Sequence, residues 1–117
     1  MIEQPIITRH NDVYIYAISG KILENTDSNP IMDSVDENLE NGAKFVFDLS
    51  NLNTMNSSGI NLFLKIFTKI RNTGGELYLC SIPKHIEQLL VITKLNSIFT
   101  ISQDVDSALS KFKTQDA

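Results

Sequence analysis

Four short runs of aliphatic, β-branched and aromatic residues, each followed by a segment with helical spacing, constrain this chain more than any other feature. The runs are VYIYAIS at 13–19, AKFVFDLS at 43–50, ELYLCSI at 76–82 and SIFTIS at 97–102. Strands that alternate with helices pair in parallel through right-handed crossovers, because each helix must return the chain to the end at which the previous strand began. The run at 43–50 is almost continuously apolar, as a strand covered on both faces should be. One more strand-like run, IITR at 6–9, is separated from 13–19 by the turn-forming HND, and Gly20 ends the second strand of that hairpin. The expected fold is a single α/β domain with a mixed, mostly parallel sheet of about five strands and about four helices. It spans residues 4–113, with 114–117 as a loose C-terminal tail.

The helices carry their own punctuation. Ser28 or Asn29 can cap a first helix with Pro30 in its first turn, where a missing N–H costs nothing. Ile31, Val35 and Leu39 give that helix an apolar stripe, and Asn41-Gly42 stops it. Between Lys21 and Lys44 stand six acids and no base: Glu24, Asp27, Asp33, Asp36, Glu37 and Glu40. They fit a solvated helix face, with an acidic docking face as the alternative. From Ile60 to Ile70 the apolar residues fill one wide arc, leaving Asn61, Lys65, Thr68 and Lys69 opposite, and Thr73-Gly74-Gly75 ends the run. Pro83 opens a third helix with Ile86, Leu89, Leu90 and Ile92 apolar. A closing helix over 104–112 has its acids at the N-terminal end, where the helix dipole favours them.

Composition narrows the function classes. The 117 residues carry 10 Lys and Arg against 14 Asp and Glu, a net charge of −4, which argues against a nucleic acid or an anionic membrane as partner. The lone cysteine, Cys80, permits no internal disulfide, fits a reducing compartment and is expected in packing. The N-terminal MIEQPIITRH lacks a signal-peptide layout, and no apolar run approaches the ~20 residues of a membrane span. A cytoplasmic protein without membrane insertion, monomeric when free, is the expectation.

An enzyme needs a constellation of groups, and the sequence offers little of one. His10 and His85 fall in different elements without zinc-type spacing. Asn56-Ser57-Ser58-Gly59 is not a Gly-x-Ser-x-Gly elbow, and there is no Gly-x-x-x-x-Gly-Lys phosphate loop. Asp48 ends a strand near Ser57, but one carboxylate is thin support for acid–base work. No catalytic residue, cofactor or metal is therefore expected. The cluster TMNSSG at 54–59 has a geometric meaning instead. It joins a strand to a helix starting around Ser58, where unpaired backbone N–H groups emerge at the carboxyl edge of a parallel sheet. Capping by Asn56 or Ser57 explains one of these residues, worth ~1 kcal/mol, but not necessarily all three. Gly59 leaves room for close approach.

The stretch FVFDLSNLNTMNSSGINLFLKIFTKIRNTGGELYLCSI, residues 45–82, resembles the core of STAS domains, and most closely the bacterial anti-sigma-factor antagonists. Their pattern runs from a hydrophobic strand through Asp-hydrophobic-Ser to Met-Asp-Ser-Ser/Thr-Gly, a helix, Gly-Gly and a strand. The resemblance extends over about residues 4–112. It implies that Ser57 is phosphorylated by a partner serine kinase that is also the anti-sigma factor, and that a phosphatase resets it. It also implies a partner contact around Lys21, Asn56, Ser58 and Gly59. Two positions depart from the family pattern. Asn56 replaces the motif aspartate, and Lys21-Ile22-Leu23 replaces an acidic-hydrophobic-acidic triplet. An alternative within the same family is a non-phosphorylated subunit of a lipid-transport or membrane-transporter assembly. That role needs an exposed apolar patch, for which Leu62 and Ile66 are the candidates. Core packing is the competing fate of both.

Overall fold

A computed structural model of the chain describes residues 5–22 and 29–116, with the side chains of 22, 29, 57, 58 and 113–116 outside the description. Strands β1 (Ile6–His10) and β2 (Val13–Ile22) form an antiparallel hairpin. Helix α1 (Asn29–Asn38) leads to β3 (Lys44–Met55), α2 (Ser57–Asn72) to β4 (Glu76–Cys80), and α3 (Lys84–Ile92) through a 3-10 turn (Leu95–Ser97) to β5 (Thr100–Ser102). Helix α4 (Val105–Asp116) closes the chain. The strands lie in sequence order, β1-β2-β3-β4-β5, and every pairing except β1–β2 is parallel. This is the expected mixed α/β sheet of five strands with four helices. Glu24, Asp27 and the capping candidate Ser28 lie outside the described residues, and α4 runs through most of the segment expected as a tail.

Strand order decides which helices share a face. A sheet built in one direction by right-handed crossovers puts every crossover helix on the same side. Tyr16, Phe45, Phe47, Leu77 and Leu79 accordingly pack in one buried cluster with Ile31 and Val35 of α1, Phe63, Ile66 and Ile70 of α2, and Ile86 and Leu90 of α3. Alternate strand residues, Val13, Val46, Tyr78 and Cys80, point to the other face and meet Ala108 and Phe112 of α4. Tyr78 and Phe112 stack there with centroids 4.2 Å apart. On the larger face Phe47 lies between Tyr16, stacked at 5.3 Å, and Phe63, edge-on at 5.8 Å. Such aromatic pairs add ~0.5–1.5 kcal/mol to the area they bury. The buried Tyr16 hydroxyl is satisfied by Ser34 Oγ at 3.0 Å and accepts from Asn38 Nδ2 at 2.9 Å.

Several strand boundaries differ from expectation. Strand β2 continues through Gly20 (φ 94°) to Ile22 across two register shifts, at each of which β3 carries the extra residue, so the glycine lies within the strand rather than at its end. Strand β3 does not stop at Ser50 but runs to Met55, because β2 continues alongside it and supplies partners to a polar segment of poor strand propensity. The last strand is shorter than 97–102, since Ser97 belongs to the 3-10 turn.

Candidate functional site

The prolonged ends of β2 and β3 build the site. The last rung between β3 and β4 is Asp48 with Cys80, whereas β3 stays paired with β2 as far as Met55. In this ribbon Ser19 faces Asn51, Gly20 faces Leu52, Lys21 faces Thr54 and Ile22 faces Met55. Leu52 and Met55 are buried and anchor it, while Ser50, Asn51 and Asn53 are exposed. One residue later the helix begins. Ile60 N–H donates to the Asn56 carbonyl at 3.1 Å, the first bond of α2, which makes Asn56 the N-cap residue. Ser57, Ser58 and Gly59 are then the first three helical residues, one position earlier than the sequence pattern placed them.

The electrostatics of this end are simple. The first turn of α2 holds no acid, so no carboxylate there neutralises its positive pole, while Lys69 and Arg71 in the last turn complement the negative pole. Lys21 is exposed and in register with Thr54, two residues before Asn56, which is also exposed. Gly59 is buried. Lys21, Asn56, Ser57, Ser58 and Gly59 are thus gathered at one edge of the sheet. Leu62 and Ile66 are not part of that surface. At 5% and 0% exposure they pack in the core beneath the sheet's larger face, the competing fate the sequence left open for both.

Other candidates lie elsewhere. The Asp48 carboxylate accepts the Ser50 N–H at 3.0 Å, and by strand alternation it points to the α4 face, away from α2. His10, exposed on β1, is in register through Val13 with the start of β3, so it and His85 lie at opposite ends of that strand. Cys80 is buried, and its thiol donates to the Phe47 carbonyl at 3.6 Å. Burial, reinforced by the Asp48 carboxylate, pushes that thiol up to about 11. Among the described residues no three His, Cys, Asp or Glu side chains converge as a metal site, and no helix is long and apolar enough to cross a membrane. One contact had no signal in the local sequence. His85 Nε2 lies 2.5 Å from the Asn53 carbonyl, joining residues 32 positions apart.

A family profile described as STAS domain matches residues 4–108. A protein of Bordetella bronchiseptica assigned as an anti-sigma factor antagonist, BtrV, is 31% identical over 71 residues, which is 61% of this chain and 61% of that protein. The anti-sigma F factor antagonist of Paenibacillus polymyxa is 28% identical over 106 residues, 89% of this chain and 90% of that one. In three dimensions the chain is similar to a Thermotoga maritima protein assigned as an anti-sigma factor antagonist. The TM-score is 0.80 at 22% identity, over 92% of each chain, a likeness of fold.

Proposed function

This chain belongs to the STAS domain family, and on that premise we propose that it is a regulatory protein-binding module, an anti-sigma factor antagonist switched by phosphorylation of Ser57. In this reading the partner is an anti-sigma factor that is also a serine kinase, a phosphatase reverses the modification, and the protein acts as a cytoplasmic monomer without catalysis of its own. The observation that carries the reading is the placement of Ser57 as the first residue of α2, just past the end of β3, with no acid in the helix's first turn.

Fold and interface respond differently to a phosphate at this position. A phosphate at a helix N-terminus meets unpaired N–H groups and the positive end of the dipole, so the domain tolerates it. The same group adds ~1.5–2 negative charges to a surface that binds in the uncharged state. The fold therefore survives while the contact is lost. Lys21 and the neutral Asn56 give this edge a more positive character than an aspartate and two flanking acids would. A partner matched to it carries acidic or neutral groups opposite Lys21. The transporter-subunit alternative draws no support from α2, because Leu62 and Ile66 are in the core.

Affinity capture with the full chain from its native cell, with mass spectrometry of bait and partners, tests this proposal. The expected result is an ATP-binding anti-sigma kinase among the partners and phosphate on Ser57. Recovery of membrane-transport subunits on an unmodified bait would overturn it.

A further inference from the structure

Strand β4 ends at Cys80 and leaves the sheet at Ser81, whose φ of 54° is left-handed and whose N–H bonds the Gln103 carbonyl at 3.1 Å. From that point β3 continues for seven residues, Leu49–Met55, with its ladder to β2 but with no strand on the β4 side among the described residues. A strand paired on one edge only is held less firmly than a strand paired on both edges. At Asn53 the segment that follows β4 supplies a substitute. His85, the second residue of α3, brings Nε2 to 2.5 Å from the Asn53 carbonyl. A carbonyl oxygen only accepts, so Nε2 carries the proton and the ring donates. The bond falls three residues before the N-cap Asn56 and four before Ser57.

We propose that His85 is a positioning residue for the switch segment: by holding the Asn53 carbonyl it fixes the end of β3, and with it the N-terminus of α2 from which Ser57 is presented. Local spacing gives no hint of this tie, because its partners are joined only by the fold. The functional consequence rests on Ser57 being the switch, but the placement can be measured without any partner. His85 is exposed, so replacing it leaves the core intact.

Amide hydrogen exchange of the full chain, read by NMR in wild type, His85→Ala and His85→Gln, is the test. In His85→Ala the amides of residues 54–60 are expected to exchange about two- to fivefold faster relative to those of Leu77–Leu79, the loss appropriate to one solvent-accessible hydrogen bond. His85→Gln restores protection, because its side-chain amide N–H donates to the same carbonyl. An unchanged ratio in His85→Ala, or a glutamine variant that behaves like alanine, overturns the proposal. If the exchange data follow the expected order while the chain from its native cell never carries phosphate on Ser57, His85 keeps its positioning role and the switch reading fails instead.

Discussion

Cys80 is the residue whose surroundings make the firmest single-group prediction. An ordinary thiol ionises near 9.0, but burial and the neighbouring Asp48 carboxylate raise Cys80 to about 11 in the folded chain. Between those values the unfolded chain has released a proton that the folded chain retains, so stability falls as pH rises through that window. Replacing Cys80 by alanine should reduce the stability lost between about pH 8 and about pH 11 by on the order of 2 kcal/mol, read from denaturant melts at both ends. Asn56 makes the complementary case. Asn and Asp cap helices about equally, so Asn56→Asp should shift stability by only a few tenths of a kcal/mol. It should change phosphorylation of Ser57 or partner affinity far more, because it adds a charge beside the site. A large fall in melting temperature with unchanged partner binding would make Asn56 purely structural.

At the scale of elements, the hydrophobic runs located strands and helices, and what they missed was held by neighbours. Residues 51–55 read as a loop, since Asn51 and Asn53 have little strand propensity, yet pairing with the end of β2 makes them strand. Ser97 read as strand because Ile98 and Phe99 follow it, but the chain needs a 3-10 turn there to bring Phe99 edge-on to Phe67 at 5.4 Å. The turn between α2 and β4 was legible as Gly74-Gly75, though the two glycines serve different ends. Gly74 has φ +80° and open space around it. A Cβ on Gly75 would lie 2.1 Å from the Ala43 carbonyl oxygen, the same oxygen that accepts Glu76 N–H at 3.0 Å. Gly75→Ala should therefore cost at least ~1–3 kcal/mol through forced backbone displacement. Gly74→Ala should cost ~1–2 kcal/mol from the left-handed conformation alone. Thermal melts of the two variants check the order, and equal losses would contradict the close-approach argument.

For the whole molecule, alternation of strands and helices was enough to foresee a mostly parallel sheet with one antiparallel edge strand, and the residue pattern at 54–59 was enough to foresee a strand-to-helix junction there, with the helix starting one residue earlier than expected. The separation of the two cores was not legible. It depends on strand order, which puts α1, α2 and α3 together and leaves α4 alone behind Val46, Tyr78 and Cys80. The fate of Leu62 and Ile66 was open in the sequence for the same reason, since a wide apolar arc does not say how much of it the sheet covers. The tie from His85 to Asn53 was invisible until α3 was placed beside the end of β3. Modification of Ser57 should change the interface and not the fold. The measurement is calorimetric binding of the captured anti-sigma partner, beside thermal melts, for wild type, Ser57→Ala, Ser57→Asp and Ser58→Ala. Ser57→Ala should bind like the unmodified protein with a stability loss of at most ~1–2 kcal/mol. Ser57→Asp should melt no lower than wild type, gaining ~0.3–1 kcal/mol from the helix dipole, and yet bind more weakly. If both Ser57 variants bind like wild type while Ser58→Ala does not, the switch is the other serine; if all three bind like wild type, the cluster is only the start of a helix.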